Sequence, residues 1–193
     1  ILGRVDAVTI AVPTESHLGV ARPLLQRGTA VLVEKPLARD VGEAQQMIEA
    51  AATSGAVCAV GHTERYTPAV AAVRPLLDPP RFIEVHRLGT FPDRSLDIDV
   101  VFDLMIHDLD VVLSIVPSDV VAVEAVGVAV LTPRPDIANA RLKFASGCIA
   151  NITASRISRE RIRKIRIFQR DAYLSVDYAA QEIRRDAQTS ALA

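Results

Sequence analysis

Three groups of residues in this chain have the types and spacing to do chemistry. Glu34-Lys35-Pro36 places a carboxylate and a primary amine directly after the apolar run Ala30 to Val33. A lysine at such a point can orient a substrate oxygen and stabilise negative charge developing on it. Pro13-Thr14-Glu15-Ser16-His17 closes an earlier apolar run in the same way. The third group is Asp103, His107, Asp110 and Ser114, which fall within a stripe roughly 60° wide if residues 99–116 are helical. A histidine titrates near neutrality and can take a proton from an alcohol, and a carboxylate one turn away can orient its ring. The residues around this stripe are so apolar that the helix is expected to be buried, with the stripe facing partners or a cavity. An Asp–His pair that satisfies only itself is the plainer alternative. Nothing nearby completes a metal shell around Asp103, His107 and Asp110, so no metal is expected.

The elements that must position these groups follow from the patterning. Asp6 to Val12, Ala30 to Val33 and Val57 to Val60 are short apolar runs, each expected to be a buried parallel strand. Ser16 to Arg27 reads as a helix with Gly28 beyond its end, and Asp40 can cap a second helix reaching Ser54, closed by Gly55. This strand–helix rhythm implies a parallel doubly wound sheet. Ligands bind beyond the carboxyl ends of such strands, which brings Pro13, Thr14, Glu34, Lys35, Pro36 and His62 into view together. The rhythm breaks near residue 62. Tyr66 to Leu77 reads as a helix with Tyr66 in the core, Phe82 to Leu88 as a strand, and Asp99 to Val116 as one long helix. Val120 to Leu131, Ala138 to Phe144, Cys148 to Ala154, Ile162 to Phe168 and Tyr173 to Val176 read as strands of a mostly antiparallel sheet. Phe144 to Cys148 reads as a hairpin turn between two of them.

The block order Pro13-x-x-x-His17, Glu34-Lys35-Pro36, Asp103-x-x-x-His107-x-x-Asp110 resembles the glucose–fructose oxidoreductase / inositol dehydrogenase / rhizopine-catabolism (Gfo/Idh/MocA) family. The segment from Gly61 through Arg65-Tyr66 to Pro68 is similar to another family motif. The resemblance implies an α/β protein: residues 1–62 as the C-terminal part of an NAD(P)-binding Rossmann domain, and residues 63–193 as a substrate-binding and oligomerisation domain. It implies NAD or NADP as cofactor and a secondary alcohol of a sugar, cyclitol or nucleotide sugar as substrate. In the family pattern Lys35 lies beside the nicotinamide and a substrate hydroxyl, with the Lys35–Pro36 bond a candidate cis peptide. His107 is the base, Asp103 its orienting neighbour, Arg65 a substrate contact, and Pro13, Thr14, His17, Glu34, Pro36 and His62 lie near the cofactor. Homodimers or homotetramers are expected of the family. Two other readings on the same fold are a dinucleotide-sensing regulatory protein without catalysis and an imine or enone reductase.

None of the nine glycines forms Gly-x-Gly-x-x-Gly. The front of the dinucleotide domain is therefore expected to lie outside these residues, and with it the acidic residue that separates NAD from NADP. The stretch from Arg81 to Arg87 and from Asp97 to Asp108 resembles family members acting on UDP-N-acetylhexosamines. Arg156, Arg159, Arg161, Arg163, Lys164, Arg166 and Arg170 crowd one segment, which reads as a solvated strand face or a site for an anionic group. With 193 residues, a net charge of -1 and no aromatic platform beside the arginines, nucleic acid is not an expected partner. No apolar run is long enough for a bilayer span and no signal peptide is recognisable, so no membrane partner is expected. Cys58 and Cys148 sit in apolar runs and read as free buried thiols, which fits a reducing, cytoplasmic setting.

Overall fold

The computed structural model describes residues 3–91 and 98–187. The chain divides into two compact units, Ile1–His62 and Thr63–Ala193.

In the first unit β1 (Ala7–Ile10), β2 (Ala30–Val33) and β3 (Cys58–Val60) pair in parallel in that order. Helices α1 (His17–Leu25) and α2 (Val41–Ser54) make the crossovers. One face of the sheet packs Ile10, Val31 and Val33 against Ala21, Leu25 and Met47. Thr9, Leu32 and Ala59 point the other way and are exposed. The helix ends follow local chemistry. The Asp40 carboxylate accepts the Glu43 N–H at 2.9 Å, occupying a donor that the first turn leaves orphaned. Gly55 closes α2 in the left-handed region at φ 72°, where a Cβ would be strained. The first helix is shorter than its sequence suggests: Ser16 belongs to a preceding 3-10 turn, Thr14–Ser16, and the helix ends at Leu25 rather than Arg27.

The second unit is a seven-stranded sheet under helices. Its strands are β4 (Phe82–Leu88), β5 (Val120–Val128), β6 (Ile137–Phe144), β7 (Ile149–Ser155), β8 (Ile162–Gln169), β9 (Ala172–Asp177) and β10 (Glu182–Ala187). Their order is β10-β9-β8-β4-β7-β6-β5, antiparallel throughout except for the parallel pair β4–β7. Alternation sends Ile83, Val85, Ile152, Ile165 and Ile167 into one core with Val70, Val73, Val111 and Val112 from the helices α3 (Pro68–Val73) and α4 (Ile106–Ile115). Burying each such side chain is worth about 1.5–3 kcal/mol. The β6–β7 hairpin turns at Gly147, φ 85°. Both thiols are free, Cys148 buried and Cys58 half-buried.

Several sequence expectations need correction. The helix read from Tyr66 to Leu77 is a 3-10 turn, Thr63–Tyr66, then α3 and a second 3-10 turn, Arg74–Leu76. Pro68 and Pro75 explain the breaks, since proline cannot supply the N–H an uninterrupted helix needs. Tyr66, placed in the core, is 76% exposed. The long helix from Asp99 opens with a π-helical turn, Val101–Met105, before α4 begins. It is not buried all round either, because Phe102 and Leu113 face outward. The strand expected to reach Leu131 stops at Val128, because the Val130, Leu131 and Thr132 N–H groups donate to the Asp136 carboxylate instead of a neighbouring strand. Strand β10 was not anticipated: its Glu-Ile-Arg-Arg-Asp pattern is polar, as suits an edge.

Candidate active site

In the first unit the three strands end at one level. Ile10 pairs with Val33, and Val33 with Val60. The segments leaving them are the ones singled out by sequence: Pro13-Thr14, Glu34-Lys35-Pro36 and Gly61-His62. Short backbone bonds lock the exits. The Glu34 N–H donates to Ile10 O at 2.9 Å, and the Gly61 N–H to Val33 O at 2.7 Å. Gly61 lets the chain pass close to Glu34, since a Cβ there would lie 3.3 Å from the Glu34 carboxyl group and push that exposed side chain aside. Glu34 and Pro13 are exposed, Thr14, Lys35 and His62 half-buried, and Pro36 buried. The Lys35–Pro36 peptide bond is cis, as its sequence context suggests.

His17 departs from the expected picture. It is 1% exposed and turned inward, with Nε2 2.9 Å from the Val12 carbonyl and Nδ1 3.1 and 3.2 Å from those of Pro36 and Leu37. Its ring is taken up in tying the loop after β1 to the loop carrying Lys35. It acts on that loop from beneath rather than reaching a ligand.

In the second unit the remaining candidates sit on and beside α4. The π-helical turn has the Ile106 N–H donating to the Val101 carbonyl five residues back. This widened turn, which contains Asp103 and ends just before His107, departs from the 3.6-residue periodicity assumed for the stripe. Such turns recur where a helix has been adapted to a site. Asp103 and His107 are both half-buried. Asp110 is buried and braced: it accepts from Arg65 Nε at 2.7 Å and pairs with the same guanidinium a second time, a fork that pins the 3-10 turn to α4. Arg65 still exposes a third of its side chain.

Behind this lies a buried ion network. Arg87 on β4, 4% exposed at its side chain, donates to both Asp108 oxygens at 2.7 and 2.9 Å and to Glu64 at 2.8 Å. Its guanidinium lies 5.9 Å from the centre of the Tyr178 ring. Burial alone would weaken its hold on its proton. The bonds to Asp108 and Glu64 more than reverse this, so Arg87 is raised and stays charged. Burial likewise pushes the Tyr178 hydroxyl up, and the Asp108 charge adds to it. A second network holds Arg156, which sequence placed among solvated arginines. It is 1% exposed and donates to Asp136 at 2.9 Å, to the Ile98 carbonyl at 2.7 Å and to Thr132 Oγ1 at 3.0 Å. It fixes the chain leading into the π-helical turn. Asp97, part of the same sequence stretch, lies outside the described residues. Among the described residues no group of three or more His, Cys, Asp or Glu side chains is arranged to hold a metal ion.

Residues 1–62 match the model of the Gfo/Idh/MocA oxidoreductase family, NAD-binding Rossmann fold, and residues 79–175 match the Gfo/Idh/MocA C-terminal domain. The chain belongs to the Gfo/Idh/MocA family. It is 45% identical over 179 residues to the UDP-N-acetylglucosamine 3-dehydrogenase of Acidithiobacillus ferrooxidans, an alignment covering 92% of this chain and 57% of that protein. A solved structure of that dehydrogenase superimposes with a TM-score of 0.90 at 42% identity, covering 96% of this chain and 62% of the other. The scyllo-inositol 2-dehydrogenase (NAD(+)) of Bacillus subtilis is 26% identical over 179 residues, 80% of this chain and 49% of that one. This Gfo/Idh/MocA chain thus spans about half the length of the curated relatives it matches.

Sequence reasoning missed Glu64, Arg87 and Asp108 as a unit. The usable signal was parity: Arg87 lies in the same alternating set as Ile83 and Val85, where a charge must be paired.

Proposed function

We propose that this chain is part of an NAD(P)-dependent dehydrogenase that oxidises a secondary alcohol of a sugar, cyclitol or nucleotide sugar, with a UDP-N-acetylhexosamine the leading substrate class. The observation that carries this reading is the 45% identity to a UDP-N-acetylglucosamine 3-dehydrogenase over 92% of the chain. The first unit fits a nicotinamide cofactor. Its parallel strands end in line, and their carboxyl ends are where a dinucleotide binds in such sheets. Pro13, Thr14, Glu34, Lys35, Pro36 and His62 are the residues that would line it, with His17 holding the loop. The cofactor, when bound, accepts the hydride at the nicotinamide ring.

The chain's own residues handle the rest of the alcohol. Lys35 orients the hydroxyl oxygen and stabilises the negative charge that grows on it. His107 accepts the hydroxyl proton as the carbon–hydrogen bond breaks, so the products are a ketone, reduced cofactor and an imidazolium. Asp103 orients the ring or holds a neighbouring hydroxyl. Arg65, partly exposed beyond its pairing with Asp110, contacts the substrate.

The helix-free face of the large sheet supports a homodimer or homotetramer. It carries an open hollow of about 540 Å³ lined by Glu84, His86, Glu124, Val126, Asn139 and Arg141. At its edge the valines of β5 are mostly exposed, Val121 at 59%, Val123 at 60% and Val126 at 59%. A cytoplasmic location is consistent with two free thiols. Among the described residues no helix is long and apolar enough to cross a membrane.

The test is NAD(P)H formation by the polypeptide that carries this chain, offered UDP-N-acetylglucosamine, free hexoses and inositols. Turnover abolished by both Lys35→Ala and His107→Ala is the expected result. Dinucleotide binding without turnover on any of them would favour a sensor, or a reductase of C=N or C=C bonds. Turnover that survives His107→Ala would remove its role as base.

A further inference from the structure

Strand register sets two arginines side by side. Arg87 on β4 lies directly opposite Arg163 on β8. Both belong to the alternating set that includes Val85 and Ile165, Arg87 buried and Arg163 exposed at the margin of that face. Like charges facing each other across a ladder are destabilising unless they are neutralised. Two carboxylates do this: Asp108 from α4 and Glu64 from the 3-10 turn. Asp108 is committed to both nitrogens of Arg87 that face it, whereas Glu64 takes a single bond from that guanidinium. Glu64 lies on the 3-10 turn Thr63–Tyr66, which packs against α4, the helix that carries His107 next to Asp108. Burial pushes the Glu64 carboxyl up, but Arg87 chiefly, with His107 and Arg163, brings it below the usual carboxylate range, so it is ionised. Its placement is fixed twice. Arg87 holds the side chain, and the Arg65–Asp110 fork ties the very next residue to α4 one turn beyond His107.

We propose that Glu64 is a positioning residue for His107: anchored on Arg87, it presents a half-buried negative charge that stabilises the imidazolium formed when His107 takes the substrate proton. This rests on the reading of His107 as the base. The proton passes from the alcohol to His107 and goes no further, because Glu64 stays ionised on Arg87. The groups that face Glu64 are Arg87 from β4, Arg163 from β8, His107 and Asp108 from α4, and Tyr178 beyond β9. On the helical segment of His107 the other carboxylates are Asp103 and the Arg65-bound Asp110. Strand β7, which also packs against α4, brings no titratable side chain.

The experiment is a histidine titration by NMR on the full chain, with the His107→Gln spectrum identifying the His107 signal among the four histidines. In Glu64→Gln the His107 midpoint falls by roughly one unit, the effect of losing one nearby opposite charge. In Glu64→Asp, which keeps the charge, most of the difference is restored. An unmoved His107 midpoint in Glu64→Gln overturns the proposal. Coupling between two sites is reciprocal, so the Glu64 carboxyl titration rises in His107→Gln. That second measurement stands if Glu64→Gln does not fold, and an unmoved Glu64 there overturns the proposal equally. The pH profile of kcat/KM for the polypeptide that carries the chain separates the two readings. Its acid limb is expected to move down with the His107 midpoint. A limb that stays put while the midpoint moves overturns the catalytic role and identifies the His107 assignment as the part that failed.

Discussion

Replacing Arg87 by methionine should be among the most destabilising single changes in the second unit. The guanidinium is 4% exposed, and Asp108 and Glu64, at 1% and 18%, lose three hydrogen bonds of 2.7 to 2.9 Å with it. Stranding the partner of a buried ion pair costs about 3–5 kcal/mol. Methionine retains part of the arginine stem's packing, which places Arg87→Met near the lower end, at roughly 3 kcal/mol. The double variant Arg87→Met/Asp108→Leu removes the more deeply buried stranded charge. It should recover part of the loss, with a coupling of about 1–3 kcal/mol between the two sites. The pH dependence has a definite sign. Burial already outweighs the pairing with Arg87 and raises the Asp108 carboxyl, and in Arg87→Met, with no cation beside it, its folded-state pKa lies further above its unfolded value. Protonation then favours the folded form. The stability it brings is present below the ordinary carboxylate value and is lost as the pH rises through the raised one. The variant's deficit therefore shrinks on acidification. Urea unfolding of the wild type, Arg87→Met, Asp108→Leu and the double variant at neutral and mildly acidic pH measures all of this. A deficit below about 1 kcal/mol, or one that grows in acid, would refute the reasoning.

Asp136 gives the opposite sign. Burial works against its charge, but the N–H groups of Thr132, Val130 and Leu131, with Arg156, hold its carboxyl well below the ordinary 3.8. Its stabilisation is present above 3.8 and disappears as the pH falls toward its depressed folded value, so Asp136→Asn should be less stable than wild type at neutral pH and converge with it in strong acid; thermal unfolding against pH checks this. His17→Ala removes the ring between three carbonyls and should cost about 1–3 kcal/mol, with hydrogen exchange rising first at residues 13–16 and 36–38. Val123→Lys on the exposed edge strand β5 should lower the association state in sedimentation without changing the melting of the second unit.

How much of this was legible beforehand differs between the two units. Parallel strands read as short apolar runs, so Ala30 to Val33 and the Glu34-Lys35-Pro36 that follows could be placed from sequence, although these strands are buried on one face only, with Leu32 42% exposed on the other. Asp40 and Gly55 marked the ends of α2 because capping is a local matter. The second unit depends on partners that are far apart in the chain. Arg87 and Asp108 are 21 residues apart, and Arg156 meets Asp136 only once β6 and β7 have paired. An arginine in a basic segment looks solvated until the register shows which face it occupies. Lys164 and Arg166 lie on the helix-free face, paired to Asp177 and Glu84, and Arg163 between them is exposed as expected, whereas Arg156 is buried. The π-helical turn had no sequence signal at all, since 3.6-residue periodicity was assumed through it.

The inward-facing ring of His17 has a mechanical consequence. It is rooted in α1 and grips the loop after β1 through Val12 and the loop after β2 through Pro36 and Leu37. Those two loops are thereby hinged on one rivet. Neither can lift away without dragging the other or tearing the ring from its seat, so whatever displaces Thr14 is felt at the backbone next to Lys35.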